Sequence, residues 1–531
     1  MKKIIIALLL PFVLVACDKF LDQPIKGQQN LDIYFQNEKE AENFITGCYS
    51  TIFYNDWWQI GKFWNMTDMC TDDCWMGNTA QDQSDYYSIV HCQGVGQSNE
   101  AVANFWQYRY KGILRCNVAI ERIPKANMAN DELKNRFVAE ARFLRAFYYF
   151  DLVRNFGGVP LIEQLLMPDQ IEGVKRESVK RVYEFIETEL SAVLDVLPQR
   201  NEYKPTEMGR ATRGAALSLL GKVYLYQEKW QEASSVLEKV ISENQYDLLE
   251  NFGDVWSVDY NNSKESIFEV QYMYDGTYNV GGFFSILSGS RSGPGDGWAW
   301  GLPTSNLEKA FIDAGDTERL KWTIIKHGAT EIAGVSSASF KENVGQSLDI
   351  NPTIHKSGRV SRKVFIPYDK RPDPYAMGKL PLNHRIIRFA DVLLMYAESE
   401  NMLGNDDNAR TALNRVRSRV SLKNVESSGV ELRNAIRLER RLELALEQNR
   451  LFDIRRWKDD NGKPVICNLM GPNGTFVKYN AQGLDEMERK NSGEPSDKGV
   501  HFMEERDCLF PIPLYEITMS NGSIVQNPNW N

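Results

Sequence analysis

Apolar residues recur at helical spacing over most of the first half of the chain and again towards its C-terminal end. The segments with this spacing are 38–54, 100–124, 131–156, 176–197, 210–244 and 386–448. Between them, residues 250–385 carry short β-like runs such as SIFEVQYMY and RKVFIPY, separated by clusters of Gly, Ser, Asn and Pro. The pattern predicts a mainly α protein whose helical frame carries long irregular insertions with short strands.

Two stretches follow the spacing of a tetratricopeptide repeat, in which small residues let two antiparallel helices approach closely. The first contains Leu217, Leu220, Gly221, Tyr224, Ala233, Leu237 and Val240, and the second Leu393, Tyr396, Ala397, Ala409, Leu413 and Val416, with Gly404 in the turn. We therefore expect a scaffold of tetratricopeptide-like helical hairpins over about 38–250 and 386–457. Loop-rich excursions are expected at about 55–99, 250–385 and 458–507, and binding residues usually lie on such loops.

The chain begins with an apolar segment that has the features of an export signal. Lys2 and Lys3 precede the run IIIALLLPFVLVA, which is too short for the ~20 residues that span a bilayer. The run ends in LVAC, the lipobox pattern, so we expect residues 1–16 to be removed as a signal peptide and Cys17 to be acylated. The mature protein, residues 17–531, is then a single domain held at a membrane by its lipid anchor and folded in water.

The charge and the cysteine spacing of the chain argue against nucleic-acid binding and against a zinc site. The chain has 531 residues and a net charge of −9, and its acidic and basic residues are interleaved, which excludes nucleic acid as a partner. An odd number of cysteines follows Cys17, so at least one stays unpaired: Cys48, Cys70, Cys74, Cys92, Cys116, Cys467 and Cys508. Their spacing lacks C-x-x-C knuckles, which favours disulfides or plain buried thiols over zinc. The five histidines are scattered, and the sequence predicts neither a metal site nor a cofactor.

Five stretches carry a resemblance to a known family. They are CDKFLDQP after the lipobox, AEARFLRAFYYFDLVRNFGGVPLI at 139–162, RFADVLLMYAESENMLG at 388–404, RLERRLELALEQNRLFDIRRW at 437–457, and the tail LFPIPLYEITMSNGSIVQNPNW. In these stretches and their order the chain resembles the SusD/RagB-like outer-membrane lipoproteins over nearly its whole length. The resemblance implies a non-catalytic protein, lipid-anchored in the outer membrane and facing the cell exterior. It also implies two partners, an oligosaccharide or polysaccharide and a SusC-like TonB-dependent transporter, and it leaves a peptide ligand open.

The fourth of these stretches is best interpreted as scaffold. Its apolar positions form a helical stripe, and its charged positions can pair along or between helices. The apolar residues are Leu442, Ala445 and Leu446, and the charged ones are Arg440, Arg441, Glu443 and Glu447.

The segment TDMCTDDCWMGN is the first candidate for a ligand contact. A sugar presents an apolar face and a rim of hydroxyl groups, so it needs an aromatic platform beside short polar side chains. Trp75 supplies the platform, and Asp72, Asp73 and Asn78 supply the polar groups. Helix capping and calcium binding are alternative roles for the carboxylates.

The segment GPGDGWAWG, residues 293–301, is the second candidate. Its glycines allow the loop to fold close to a ligand with an indole turned outward. We expect either Trp298 or Trp300 to be the second platform and the other indole to anchor the loop. Tyr278 and Arg291 from the same excursion are further candidates.

Two other function classes compete with glycan binding. A glycoside hydrolase is an alternative, but no G-x-S-x-G, H-E-x-x-H or phosphate-loop motif occurs, and Arg291 occupies the centre of GSRSG. We therefore assign no catalytic residues. A protein-interaction scaffold built from the repeats is the other alternative, and it predicts no binding to soluble glycans.

Overall fold

A computed structural model describes residues 34–52, 57–76, 83–93, 95–166, 170, 173–274, 279–289, 291, 297–350, 357–373, 378–477 and 502–530. The signal peptide, Cys17, Asn78 and Tyr278 lie outside the described residues.

Helices account for most of the described chain. They are α1 (Glu38–Ser50), α2 (Trp57–Met69), α3 (Ser84–Val90), α4 (Glu100–Arg122), α5 (Asp131–Phe156), α6 (Val179–Ser191), α7 (Arg213–Leu225), α8 (Trp230–Ser242), α9 (Phe284–Ser288), α10 (Ser305–Asp313), α11 (Thr317–Thr323), α12 (Ser337–Asn343), α13 (Phe389–Met402), α14 (Asp406–Ser418), α15 (Gly429–Glu443), α16 (Arg450–Arg456), α17 (Val465–Met470), α18 (Glu504–Asp507) and α19 (Leu514–Met519). The strands are β1 (Cys74–Trp75), β2 (Ser266–Val270), β3 (Met273–Tyr274), β4 (Asn279–Val280), β5 (Leu302–Pro303), β6 (Ile324–Lys326), β7 (Arg359–Ser361) and β8 (His384–Arg388). The mainly α prediction is confirmed.

The long helix α5 shows how the sequence sets helix ends. Asn130 caps its start, because the side-chain oxygen accepts a hydrogen bond from the backbone N–H of Leu133 at 3.0 Å. The helix stops at Gly157, whose φ of +75° is unfavourable for residues with a side chain. Between these ends α5 packs against both α4 and α6, so it lies between two helices that are its neighbours along the chain.

The predicted helical hairpins are present. Helix α7 packs on α8, α8 packs on α13, and α13 packs on both α14 and α15, which makes one continuous stack. Gly221 lies where α7 meets α8, and a Cβ there would be 2.5 Å from Cδ2 of Leu237. Gly404 turns the chain between α13 and α14 with a φ of +82°.

The described strands form antiparallel two-stranded pairs, β1 with β5, β2 with β8, β3 with β4, and β6 with β7. The β2–β8 pair ties the long excursion to the scaffold, because β8 leads directly into α13. The β1–β5 pair joins the segment after α2 to the segment before α10, with Trp75 opposite Leu302.

The charged residues of the fourth family stretch form buried ion pairs, as the scaffold interpretation predicts. Glu443 contacts Arg388 at 2.6 Å and Arg319 at 2.9 Å. Arg440 contacts Asp391 at 2.9 Å, and all these side chains are almost fully buried. Removing one partner from such a pair leaves a buried charge uncompensated, so these residues fix the arrangement of the elements they join.

No disulfide joins any two cysteines of the described chain, which are Cys48, Cys70, Cys74, Cys92, Cys116, Cys467 and Cys508. Within the described ranges, no three His, Cys, Asp or Glu side chains are grouped as a metal site would require. None of the described helices combines the length and apolarity needed to cross a bilayer.

Candidate functional site

The loop that carries the two tryptophans of the second candidate segment is held by the end of helix α9. The backbone N–H groups of Trp298 and Trp300 donate to the carbonyls of Ile286 and Leu287, at 2.7 and 2.6 Å. A Cβ at Gly297 would lie 2.1 Å from the backbone of Gly289, so this crossing requires glycine. The glycine thus serves a close approach of the loop to the protein itself, and not to a ligand as the sequence suggested.

Trp300 is the anchor of the loop. Its side chain is 1% exposed and meets the ring of Tyr86 edge to face at a centroid distance of 5.1 Å. The next residue, Gly301, has a φ of +67°, and a Cβ there would be 2.5 Å from Oδ1 of Asn65. The expectation that one of the two indoles anchors the loop is confirmed, and the prediction of Trp300 as a ligand platform is wrong because its indole is enclosed.

Trp298 is only half-buried and is the indole of the pair that reaches the surface. Its ring packs edge to face on Phe283 at 5.3 Å, and the Lys62 ammonium lies 5.9 Å from its centroid and 5.2 Å from that of Trp300. A cation near two aromatic faces stabilises both rings in place. Arg291 is exposed, and its Nε donates to the backbone carbonyl of Trp298 at 3.2 Å. The structure therefore brings Trp298 and Arg291 together at the surface.

The carboxylates of the first candidate segment are turned inward. Asp72 and Asp73 are each 1% exposed, and Arg450 binds Asp72 through two hydrogen bonds of 3.0 Å. Arg441 contacts Asp73 at 2.6 Å and Asp72 at 3.0 Å. Burial alone raises the pKa of Asp72, but the guanidinium groups of Arg441 and Arg450 outweigh burial and hold this pKa below its usual value. The prediction that these two carboxylates contact a ligand is wrong, because both are buried and paired with arginines of the scaffold.

Trp75 is also buried. Its side chain is 1% exposed and lies 6.0 Å from the ring of Phe476. Strand β1, which contains Trp75, pairs with β5, which directly follows the second segment. The backbone N–H of Thr304 donates a hydrogen bond of 2.9 Å to the carbonyl of Asp73. The two predicted segments are therefore neighbours, but Trp75 contributes packing and the prediction of a sugar platform at this position is wrong.

A large cleft lies beside Trp298 and was missed by sequence reasoning. It has a volume of about 710 Å³ and is bounded by the end of α1, the segment 206–210, strand β2 and the β3–β4 hairpin. Phe283 lines it and also packs on Trp298, so the cleft and the partly exposed indole share a wall. Its lining is scattered from Thr46 to Lys379 along the chain, and no local pattern marks residues that far apart. We call it the α1 cleft.

Comparison with known proteins places these features in a family. Residues 264–530 match the SusD family, and residues 19–225 match a family described as starch-binding and associating with the outer membrane. SusD-like protein P2 of Formosa agariphila is 27% identical, over 98% of each chain. A SusD-like protein of Bacteroides ovatus is 25% identical, over 100% of this chain and 97% of its own.

Solved structures agree with the sequence relatives. A laminarin-binding SusD-like protein is 26% identical and superposes with a TM-score of 0.72, covering 93% of this chain and 100% of its own. A SusD homologue of Bacteroides thetaiotaomicron, at 23% identity, superposes with a TM-score of 0.77 over 94% of this chain and 98% of its own, and supports the fold. Because the SusD family model matches half of the chain, over residues 264–530, the chain belongs to the SusD family.

Proposed function

We propose that this protein is a cell-surface glycan-binding lipoprotein that delivers oligosaccharide to a SusC-like TonB-dependent transporter and performs no catalysis itself. The observation that carries the proposal is the full-length similarity to a laminarin-binding SusD-like protein, at 26% identity. The match to a family described as associating with the outer membrane supports the location. Acylation of Cys17 anchors the protein there, with the folded domain facing the cell exterior.

The proposed contact surface centres on Trp298. An indole that is partly exposed and packs on Phe283 can stack on the apolar face of a sugar ring. The exposed Arg291 beside it offers donors to hydroxyl groups at the rim of that sugar. Tyr278 and Asn78, which lie outside the described residues, stay predictions for the same surface.

A peptide ligand is the second candidate, because the family resemblance leaves it open. An extended peptide needs backbone hydrogen bonds along a strand edge, whereas a glycan needs stacking platforms. A partly exposed indole beside a large cleft favours the glycan.

Binding and turnover are separated in one experiment. Isothermal titration calorimetry against a glycan panel that includes laminarin and starch measures affinity, and a reducing-sugar assay on the same mixtures measures hydrolysis. We expect binding of at least one glycan with no release of reducing ends. Release of reducing ends by the purified protein would support the hydrolase alternative, and the absence of binding to every glycan would contradict the proposal.

The Trp298→Ala substitution tests the site. We expect it to weaken glycan binding by about 1–3 kcal/mol, the usual effect of losing one well-packed aromatic contact. Trp230→Ala is the matched control, since Trp230 is a half-buried indole at the start of helix α8 on the scaffold. Equal affinity of the two variants, both folded by circular dichroism, would remove Trp298 from the site.

A further inference from the structure

We infer that the α1 cleft is a second carbohydrate-binding subsite, continuous with Trp298, that binds the further sugar rings of an oligosaccharide. The inference rests on the proposed function and adds to it the length of the preferred glycan. The cleft volume of about 710 Å³ falls within the ~300–1,000 Å³ typical of ligand pockets. Such a volume has room for more than one sugar ring.

Continuity with Trp298 comes from Phe283. This side chain lines the cleft, and its ring packs edge to face on Trp298 at a centroid distance of 5.3 Å. An oligosaccharide stacked on Trp298 at one of its ends therefore meets the mouth of the cleft with its next residues. The two surfaces form one binding path, and a longer glycan contacts more of it than a short one.

The charges in the cleft wall favour a neutral ligand. Three of the four charged lining residues are in ion pairs: Glu207 with Arg136 at 2.6 Å, Arg210 with Glu140 at 2.9 Å, and Glu269 with Arg385 at 3.3 Å. The fourth is Lys379, whose ammonium lies 5.1 Å from the ring centroid of Tyr274. Side chains that are already in an ion pair within the protein attract the charged groups of a peptide or an anionic ligand only weakly. Hydroxyl, amide and apolar groups make up most of the remaining lining: Thr46, Tyr49, Ser50, Ile52, Thr206, Met208, Phe268, Gln271, Tyr272 and Val280. That combination suits the apolar faces and hydroxyl rims of uncharged sugars.

Two glycines of the wall make contacts that leave no room for a side chain, so the wall is preformed. A Cβ at Gly281 would lie 2.3 Å from Cα of Lys379, so the hairpin and the segment at 378–379 touch through their backbones. Gly209 has a φ of +95°, and a Cβ there would be 2.5 Å from the side chain of Gln271. A cleft with fixed walls loses less conformational entropy when an oligosaccharide binds, and this raises its affinity for the oligosaccharide.

Hydroxyl-radical footprinting with mass spectrometry locates the bound glycan directly. The probes are laminarihexaose, laminaribiose, maltohexaose and maltose. Met208 lines the cleft and reports occupancy through its rate of oxidation, while Met503 is 50% exposed and serves as the internal control for radical scavenging. We expect a hexasaccharide to slow oxidation of Met208 several-fold relative to Met503, and the corresponding disaccharide to leave it unchanged.

A variant pair tests the energetic role of the cleft. Thr46 and Ser50 are exposed residues one turn apart on α1 that face the cleft, whereas Asn43 is exposed on the same helix outside it. We expect Thr46→Arg with Ser50→Arg to weaken hexasaccharide binding about tenfold and to leave disaccharide binding unchanged. Asn43→Arg should alter neither.

The outcomes separate the two proposals. If a hexasaccharide binds and Trp298→Ala weakens it, but Met208 is not protected and the arginine variant binds normally, the subsite is wrong and the proposed function stands. If Met208 is protected while Trp298→Ala has no effect, the cleft is the main site and Trp298 is not part of it. If neither laminarihexaose nor maltohexaose binds the folded protein, the subsite inference is overturned. The calorimetry panel of other glycans then shows whether the proposed function still stands.

Discussion

Asp68 shows how a single residue is affected by its place in the fold. Its carboxylate lies in helix α2 and accepts hydrogen bonds from the backbone and side-chain nitrogens of Gln448, at 3.1 and 3.0 Å. Burial raises the pKa of this carboxyl group from 3.8 to about 7, although the hydrogen bonds from Gln448 oppose the rise. The folded protein therefore keeps Asp68 protonated at pH values where the unfolded chain has already released this proton.

The direction of the pKa shift gives a pH prediction. Below pH 3.8 the carboxyl group is protonated in both states, and between 3.8 and about 7 only the folded state holds the proton. Stability is therefore lost as the pH rises through this window, by up to about 4 kcal/mol. Asp68→Asn keeps an oxygen acceptor for Gln448 but cannot ionise, so we expect its stability relative to wild type to increase across the window.

Urea denaturation at several pH values measures this effect. Asp195→Asn is the control, because the Asp195 side chain is 96% exposed. We expect the control to show no comparable change with pH. Parallel pH profiles of wild type and Asp68→Asn would contradict the assignment.

The residue scale is also where sequence reasoning about the site was weakest. Asp72, Asp73 and Trp75 have the composition of a sugar site, but composition does not reveal that Arg441 and Arg450 reach the same point from more than 360 residues away. A usable signal was present in the arginine-rich stretch 437–457. Guanidinium groups on a buried helix require carboxylate partners, and the excess of arginine there pointed to acidic residues elsewhere in the chain.

At the scale of elements, the hairpins were predictable because their contacts follow a local repeat. Gly221 on α7 allows Leu237 of α8 to pack directly over it, as the repeat spacing predicts. The short strands were less predictable, since β1 and β5 contain two residues each and pair across more than 200 positions. Pairing of that kind depends on the tertiary fold and leaves little trace in local sequence.

Gly221→Ala tests the close approach of the hairpin helices. The added Cβ would be 2.5 Å from Cδ2 of Leu237, so one helix must shift, and we expect a loss of about 1–3 kcal/mol in the free energy of unfolding. Gly47→Ala is the matched control, because Gly47 is also in a helix but nothing lies within 4 Å of a Cβ there. That control should be neutral or gain about 0.5–1 kcal/mol from better helix propensity. A Gly221→Ala variant as stable as wild type in urea denaturation would show that the contact is not tight.

At the scale of the whole molecule, the scaffold and the excursion over about 250–385 are joined by buried arginine–carboxylate pairs. Glu443 at the end of α15 contacts Arg319 from α11, Arg388 from β8 and Arg419 just after α14. The excursion that carries Trp298 is therefore attached to the hairpins through one carboxylate as well as through the β2–β8 pair. A binding surface on irregular segments gains its fixed shape from such attachments.

Glu443→Gln tests this attachment. Burial alone would raise the pKa of Glu443, but Arg419, Arg388 and Arg319 hold it well below 4.5, so its contribution to stability is present above that pH and is lost as the pH falls. We expect Glu443→Gln to cost about 3–5 kcal/mol near neutral pH, because three guanidinium groups lose their shared anion. The penalty should shrink at acid pH, where wild type loses the same interactions. Glu431→Gln, an exposed position on the same helix, should be nearly neutral in urea denaturation, and equal effects of the two substitutions would mean that the buried carboxylate does not hold the excursion in place.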